Sequence, residues 1–411
     1  MSIKSRKVTR LSLPSRRARR YDVVFYTPWI GSILSNRELL PPGGAERQML
    51  LLAKSLARRG LSVAIIAYGD EADLPHEIDG VSIAPRPPYR ERPGLAGKLF
   101  EIFRIWQALW RTPSHTIVYR CAGIELGVIG VYAKLARRHL VFSSANIVDF
   151  HPQKLMTKRR DLFLYRLGVR LADAIVVQTE EQIDLCNRSF GRRPTLIKSI
   201  SPLSNAPAGP AEAFLWIGRL VSYKRPLAYI NLARAFPEAR FWMVGVPTPH
   251  HDDDRHVVEA VDAASAEVPN LDLLPPRSHD DLKHLLSRAV ASVNTADFEG
   301  MPNVLLEAWS TGVPALVLTH DPGGVVRKHG LGSFASGSPE ALVALAREQW
   351  TTRHHRPELA RRCRAYIADH HAPELISHQW LSVLSLGMCV TDISPSPAEP
   401  DRTEVELPCA G

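Results

Sequence analysis

The feature that most constrains the fold is a regular alternation of short apolar runs with longer helical stretches, which occurs twice along the chain. The first series begins with the run Asp22–Tyr26 and ends with Thr195–Ile197. The second begins with Phe214–Ile217 and continues to Ala315–Leu318. Such alternation predicts parallel strands with helices on both faces. The sequence therefore predicts an α/β protein built from two doubly wound units.

A segment rich in Pro and Gly, Ser201–Ala211, separates the two series and has the composition of a linker. We therefore divide the chain into a basic arm, two domains, a last helix and an acidic, Pro-rich tail, which are residues 1–20, 21–205, 206–372, 373–390 and 391–411. Ligands of such sheets bind at the carboxyl ends of the strands. The cleft between the two domains is thus the expected site.

The positive charge of the chain is concentrated at its start. The formal net charge is +9, and residues 1–20 hold eight Lys and Arg and no acid. A solvated terminus is the simplest explanation of this arm, and peripheral contact with an anionic membrane is the alternative; no specific nucleic-acid binding is expected. The chain has no apolar run long enough to cross a bilayer and no secretory signal. Five scattered cysteines favour a reducing, cytoplasmic setting.

Two stretches of the first domain are candidates for a surface that meets an acceptor or a membrane. The first is Lys98–Arg111, which is apolar on more than one side. A polar connection is expected between it and the preceding strand, Leu61–Ala67. The second, Lys154–Arg170, mixes Lys and Arg with aromatic residues. Core packing explains the first stretch more simply, and a solvated basic face explains the second.

The segment Asp297–Trp309 carries two carboxylates, Glu299 and Glu307, around the start of a predicted helix. Pro302 and Asn303 fit its first turn, because proline is tolerated there and asparagine is a good cap. The free amides and the dipole at a helix N-terminus suit an anion or a set of hydroxyls. For either glutamate alone, a solvated side chain is an adequate explanation.

Two loops carry glycines next to charged side chains. Gly218 and Arg219 directly follow a predicted strand, and Lys224 lies five residues after Arg219. Arginine makes forked contacts with a diphosphate and lysine acts as a point charge, although ordinary surface cations are the alternative. Gly43 and Gly44 open a helix and would allow close approach to a phosphate or sugar, although a plain turn explains them equally well.

Other chemistry has weak support in the sequence. The segment His250–Asp254 is the one candidate for a metal site, but acids before a helix are more often caps, so no metal is expected. The pairs His354-His355 and His370-His371 lie among arginines and are expected at the surface. Walker, dinucleotide-binding and Ser/His/Asp patterns were not found.

Taken together, these motifs resemble those of the family 4 retaining glycosyltransferases. The resemblance rests on Gly43-Gly44-Ala45-Glu46, on Gly218-Arg219 with Lys224, and on the Glu-x7-Glu of Glu299 and Glu307. It extends from about Tyr21 to Leu386 and is strongest between Phe214 and Val317. It implies the GT-B fold, which has two Rossmann-like domains facing a central cleft. It also implies a nucleotide-diphosphate-sugar as co-substrate and no bound cofactor or metal.

The resemblance implies a role for each motif. Glu307 would accept hydrogen bonds from the ribose, and Glu299 would orient the transferred sugar. Arg219 and Lys224 would hold the diphosphate and offset the charge on the leaving group. Further contacts with the donor would come from Gly218, Gly300, Met301, Pro302 and Asn303, and contacts from the first domain would come from Gly43 and Gly44.

One departure from the family pattern follows the predicted strand Leu140–Phe142. Many members carry a histidine there that contacts the donor sugar, whereas this loop begins Ser-Ser-Ala-Asn. Asn146 is able to donate a hydrogen bond in its place, and His151 is a candidate displaced in register. The expected activity is transfer to a glycan or lipid-linked acceptor, in the synthesis of a cell-surface polysaccharide or glycoconjugate. A non-catalytic sugar-nucleotide-binding subunit, and an epimerase or hydrolase acting on sugar nucleotides, are the alternatives.

Overall fold

A computed structural model of the chain describes residues 20–34, 43–89, 94–205, 209–247 and 255–384. The strands within these ranges form two sheets. The strands of the first are β1 (Tyr21–Tyr26), β2 (Val63–Tyr68), β3 (Glu77–Ile78), β4 (Val81–Arg86), β5 (Ser114–Arg120), β6 (His139–Ser143), β7 (Ala174–Val177) and β8 (Thr195–Leu196). Those of the second are β9 (Ala213–Arg219), β10 (Phe241–Val246), β11 (Leu271–Leu274), β12 (Ala289–Asn294), β13 (Ala315–Val317) and β14 (Gly332–Phe334).

Helices connect the strands and cover both faces of each sheet. In the first domain they are α1 (Gly31–Leu34), α2 (Gly44–Arg58), α3 (Gly94–Arg111), α4 (Glu125–Leu135), α5 (Pro152–Leu155), α6 (Arg159–Leu171) and α7 (Glu180–Phe190). They continue as α8 (Pro226–Ala235), α9 (Arg255–Ala266), α10 (His279–Ser287), α11 (Asn303–Thr311), α12 (Val325–Lys328), α13 (Pro339–Thr351), α14 (Pro357–His371) and α15 (Pro373–Leu381). Short 3-10 helices span Pro28–Ile30, Ile147–Phe150, Ser222–Lys224 and Pro322–Gly324.

The strand order places a reversal of direction near the centre of each sheet. The first sheet has the order β3-β4-β2-β1-β5-β6-β7-β8 and the second β11-β10-β9-β12-β13-β14. Neighbouring strands are parallel except for β3 and β4. Successive strands lie on one side of β1 or β9 and then continue on the other side, which opens a crevice at the carboxyl ends of β1 and β5 and of β9 and β12. The predicted fold class of two doubly wound parallel sheets is confirmed.

The structure corrects three expectations about local elements. The expected polar connection after β2 contains β3 and β4, where alternate residues such as Val81 and Ile83 are buried, but Pro85 and Arg86 weaken the apolar pattern. The sequence predicts a helix near Leu126–Arg138, but α4 ends at Leu135, because Arg137 has a φ of 53° that ends the helical geometry. The elements α12 and β14 were missed because both are too short to show a period.

The two domains are connected a second time where α14 ends and α15 begins. Main-chain and side-chain atoms of His371 bond to the linker between the sheets: Nδ1 lies 2.6 Å from the Ser199 oxygen, and the Ser201 amide donates to the His371 oxygen at 2.8 Å. The expectation that His371 lies at the surface is therefore wrong. The polar residues next to His371 in the sequence gave no indication that this side of α14 is buried. Beyond it, α15 packs on α2 and places Ile376 and Trp380 in the core of the first domain.

The buried His371 should make the stability of the protein depend on pH. Burial, with smaller contributions from the nearby Lys198 and His370, lowers the pKa of this imidazole from 6.5 to about 3, and the hydrogen bond to the Ser199 oxygen opposes this shift only in part. The unfolded chain binds a proton at this imidazole near pH 6.5, whereas the native imidazole stays neutral. The contribution of the neutral imidazole to the free energy of unfolding is therefore complete above pH 6.5 and is lost as the pH falls towards 3. We expect the free energy of unfolding to depend less steeply on pH in His371→Gln, by up to about 1.4 kcal/mol per pH unit.

Urea denaturation between pH 4.5 and 7.5 measures these slopes. His378→Gln is the matched control, because His378 is an exposed histidine on α15. Identical slopes in the wild type and in His371→Gln would contradict the prediction.

Candidate functional site

The loops that follow β9 and β12 lie together at the crevice of the second sheet. The Thr295 hydroxyl, just after β12, accepts from the Trp216 indole at 3.0 Å and donates to the Lys224 oxygen at 2.7 Å. The Asp297 amide donates to the Tyr223 oxygen at 2.9 Å. Buried hydrogen bonds therefore fix the two loops relative to each other.

Glu299 and Lys224 form an ion pair at this crevice, between Nζ and Oε1. Glu299 is only 8% exposed, and a carboxylate removed from water in this way requires a partner charge. Lys224 ends the 3-10 helix Ser222–Lys224, and Glu299 lies in the loop before α11. The two residues singled out from distant parts of the sequence thus meet, each neutralising the other.

Arg219 lies at the end of β9 and is connected to this pair through Tyr223, whose ring centroid is 5.7 Å from Nζ of Lys224. Its guanidinium is exposed and donates to the Tyr223 hydroxyl at 2.9 Å. The Tyr223 ring stacks on Phe298, with centroids 4.9 Å apart and planes 11° apart. Sequence reasoning gave Tyr223 no role, although an aromatic residue in a polar turn between two candidate cations was a usable signal.

The start of α11 meets the start of α2 across the cleft. The cap of α11 is Pro302, without a side-chain hydrogen bond, so the expectation that Asn303 caps this helix is wrong. The Asn303 amide instead donates to the Gly44 oxygen at 2.7 Å and accepts from Gln48 at 3.0 Å. A Cβ added to Gly44 would lie 2.5 Å from the Asn303 amide nitrogen, so glycine permits this approach.

Glu307 lies one turn into α11 and faces the first domain. Its Oε1 is 3.3 Å from Nε of Arg47, whose guanidinium also contacts the ring of His279. Burial raises the pKa of Glu307, whereas Arg47 and Lys283 lower it. These four side chains line a cavity of about 240 Å³ between the domains. Arg47 was missed in the sequence, since nothing in a helical stretch indicates a contact with a helix about 260 residues away.

Gly300 meets the loop after β6, and Met301 meets Gln178, the first residue after β7. A Cβ added to Gly300 would lie 2.3 Å from the Ala145 oxygen, and the Met301 amide donates to the Gln178 side chain at 3.4 Å. Asn146 follows Ala145, and its Oδ1 accepts from the Val148 amide at 3.3 Å. This arrangement brings Asn146 to the edge of the site, whereas His151 lies beyond the 3-10 helix that Asn146 caps.

The remaining glycines and the candidate metal ligands lie as follows. Gly43 caps α2, and Gly218 lies in β9, where a Cβ would be 3.0 Å from the Trp216 ring. The segment His250–Asp254 lies entirely outside the described ranges. Among the residues that are described, no three His, Cys, Asp or Glu side chains are grouped to hold a metal ion. The same ranges contain no helix long and apolar enough to cross a membrane.

Comparisons with solved structures support the fold. HepE from Anabaena, crystallised with UDP and glucose, is 16% identical, with 89% of this chain and 100% of that chain covered and a TM-score of 0.68. Sucrose-phosphate synthase from Thermosynechococcus elongatus is 16% identical, with 88% and 97% covered and a TM-score of 0.68. The lipopolysaccharide outer core galactosyltransferase WaaB in its apo form is 13% identical, with 88% and 98% covered and a TM-score of 0.61.

Sequence comparisons assign each half of the chain. Residues 43–202 match the glycosyl transferase 4-like domain, and residues 211–350 match the glycosyl transferases group 1. No curated protein sequence matches the chain. The two family matches adjoin at the linker between the sheets, and the solved structures share both sheets. The chain belongs to the group 1 glycosyltransferases of the GT-B fold, as its motifs had indicated.

Proposed function

We propose that this protein is a retaining glycosyltransferase that moves a sugar from a nucleotide-diphosphate-sugar to a glycan or lipid-linked acceptor, in the synthesis of a cell-surface polysaccharide or glycoconjugate. The observation that carries the proposal is the ion pair of Lys224 with Glu299 at the carboxyl ends of β9 and β12, with Arg219 connected to it through Tyr223. Glu307 lies nearby, one turn into the helix that follows. Cations and carboxylates at such a crevice suit a donor with a diphosphate and several hydroxyls.

The two cations would stabilise the departing nucleoside diphosphate. Negative charge grows on the phosphate oxygen as the bond to the sugar breaks, and preorganised cations stabilise that charge without a metal ion. Lys224 is held in place by Glu299 and Arg219 by Tyr223, so neither side chain needs to be ordered at the moment of reaction. When the diphosphate attracts Lys224, the Glu299 carboxylate becomes available to accept hydrogen bonds from the sugar.

Retention of configuration follows if the acceptor attacks from the face that the phosphate leaves. The bond from the sugar carbon to the phosphate oxygen breaks, the bond to the acceptor oxygen forms, and the acceptor proton passes to the departing phosphate. On this route Glu299 forms no bond to the sugar carbon and acts only by accepting hydrogen bonds from the sugar hydroxyls.

A donor panel tests the activity and its alternatives. The similarity to HepE, which was crystallised with UDP-glucose, supports beginning with uridine donors and then adding GDP- and ADP-sugars. Nucleotide release that requires an acceptor, with an α-linked product from an α-linked donor, is expected. Binding without turnover would instead indicate a non-catalytic subunit, and product without acceptor would indicate a hydrolase or epimerase.

Glu307 should control nucleotide affinity separately from chemistry. We expect Glu307→Gln to weaken binding of the cognate nucleoside diphosphate about 10–100-fold, because each hydrogen bond from a ribose hydroxyl to a carboxylate contributes about 1.5–3 kcal/mol. Isothermal titration calorimetry measures this change. Glu267→Gln, at an exposed glutamate beyond α9, is the control. Equal affinities of the wild type and Glu307→Gln for the nucleoside diphosphate would exclude Glu307 as a ligand of the ribose.

The proposed setting is the cytoplasm, at the inner face of the membrane. Cys121, Cys186 and Cys363 are free thiols, which fits a reducing compartment. The basic arm would contribute electrostatic attraction to anionic lipid. Its residues before Arg20 lie outside the described ranges.

A further inference from the structure

The helix α3 has an apolar stripe on its outer face. Leu95, Leu99, Phe103 and Trp110 recur at helical spacing and are 73%, 56%, 58% and 76% exposed. The inner face packs on the first sheet through Ile105 and Leu109, which are buried. A surface helix normally carries polar residues opposite its core stripe, so core packing does not explain this second stripe.

The stripe belongs to a larger surface formed by α3, α4 and α6, which we call the α3–α4–α6 face. The helices α3 and α6 both pack against α4, and the Trp106 indole donates to the Val128 oxygen at 3.0 Å. Among the described residues, eight of the fifteen exposed large apolar side chains lie on these helices or immediately before α6: Leu95, Leu99, Phe100, Phe103, Trp110, Leu135, Leu155 and Phe163. Isolated exposed apolar residues are normal, whereas a concentration on one side indicates a binding surface.

The same face is strongly cationic. The three helices contain eight Lys and Arg against three acids. Each of these acids has a partner: Glu101 pairs with Arg86 at 2.6 Å, Asp161 with Arg160 at 2.6 Å, and Glu125 accepts from the Tyr119 hydroxyl at 3.2 Å. Exposed cations such as Lys98, Arg159, Arg166 and Arg170 therefore set the charge of this face.

Arg20, the last residue of the basic arm, lies beside this face. Arg20, the first described residue, is exposed and interacts electrostatically with Arg138, just after α4. The 19 residues before it contain seven Lys and Arg and no acid. Arg20 itself thus lies next to the end of the face that carries Trp110 and Leu135, and the chain that precedes it is basic.

We propose that the α3–α4–α6 face docks on an anionic lipid bilayer. The aromatic and leucine side chains of α3 would enter the boundary between headgroups and acyl chains, and the surrounding Lys and Arg would bind lipid phosphates. Binding of this kind requires both exposed apolar area and positive charge, and this face supplies both. The surface is separate from the donor site and does not depend on the proposed transfer reaction.

A second copy of the chain fits this face less well than a membrane does. The core of a protein interface is depleted in charged residues, and a symmetric contact brings each patch onto its own copy. Here the arginines of α6 would then face one another without acids to neutralise them. Anionic headgroups provide that neutralisation.

Docking would also position the cleft relative to the membrane. Glu101 of α3 bonds to Arg86 at the carboxyl end of β4, and Arg86 donates to the hydroxyls of Tyr26 and Tyr68 at the ends of β1 and β2. The start of α3 therefore lies beside the carboxyl edge of the first sheet. A lipid-linked acceptor in the bilayer would reach the cleft along this edge, which is the one consequence that rests on the proposed function.

Vesicle flotation of the full-length protein tests the proposal. We expect the protein to float with vesicles of phosphatidylglycerol and phosphatidylcholine, to release at high salt, and to remain in solution with phosphatidylcholine alone. Phe103→Ser with Trp110→Ser, and separately Arg159→Glu with Arg166→Glu, should each lower the bound fraction at least tenfold. Leu227→Ser with Leu273→Ser is the matched control, because both leucines are exposed on the second domain.

Two outcomes would overturn the proposal. One is unchanged flotation in the charge-reversal variant, which replaces exposed side chains and leaves the apolar stripe intact. The other is light scattering that shows a wild-type dimer, dissociated by the serine variant, with no flotation of the wild type. Binding of nucleoside diphosphate by every variant, measured by calorimetry, separates failure of docking from failure of the donor site.

Discussion

Arg219→Ala is expected to lower kcat about 10²–10³-fold, the usual effect of removing one preorganised group from a charge that develops in the transition state. The side chain lies at the end of β9 and is held by the Tyr223 hydroxyl at 2.9 Å. Since Arg219 is exposed and forms no buried ion pair with any other described residue, its loss leaves no unpaired charge in the described interior. The Tm should therefore remain within about 2 °C of the wild type, because surface substitutions usually change stability by less than 0.5 kcal/mol.

Further variants separate charge from geometry at Arg219. Arg219→Lys keeps the positive charge but loses the forked hydrogen-bonding geometry of the guanidinium, so its kcat should lie between those of Arg219→Ala and the wild type. Tyr223→Phe keeps the ring stacked on Phe298 and removes the hydroxyl that holds the guanidinium, so a smaller loss is expected. Arg240→Ala is the control, because Arg240 lies at the amino edge of the same sheet. Turnover in Arg219→Ala equal to that of Arg240→Ala would exclude a role for Arg219 in the reaction.

The sequence predicted which loops lie at the carboxyl edge of the second sheet, because loops after strands can be located from local patterns. The apolar runs before Arg219 and Glu299 placed both residues at the carboxyl edge of one sheet, and the strand order brings these two loops together. The pairing of Glu299 with Lys224 could not be predicted, because it depends on how the two loops are held by Thr295. A single sequence contains no measure of that geometry.

Contacts between the domains were the least predictable part. Arg47 occupies an ordinary position in a helix, and only the packing of α2 against α11 places it beside Glu307. His371 was expected at the surface because its neighbours in sequence are polar, whereas it is buried where α14 ends and α15 begins. The family motifs indicated the glutamates and glycines as candidates, but the residues of the first domain that meet them depend on the relative position of two separate sheets.

Gly300→Ala tests whether activity requires the close approach of the two domains. A Cβ at this position would lie 2.3 Å from the Ala145 oxygen and 3.1 Å from its carbonyl carbon, so the loop after β6 must move away. The obstacle is main chain and cannot rotate aside. A displacement of about 1 Å in a catalytic site is able to cost about 100-fold in rate, so we expect kcat/KM to fall by that factor. Nucleotide affinity should change less than threefold, because Glu307 remains in place.

Gly44→Ala is the matched substitution on the other side of the cleft. Its Cβ would meet the amide nitrogen of Asn303 at 2.5 Å, which is the end of a side chain that is able to rotate. We therefore expect a loss of less than tenfold in kcat/KM. Small-angle scattering should show a larger radius of gyration for Gly300→Ala than for Gly44→Ala. Wild-type activity in Gly300→Ala would mean that catalysis occurs with the domains further apart than this structure holds them, and that the contact between Gly300 and Ala145 belongs to a resting arrangement.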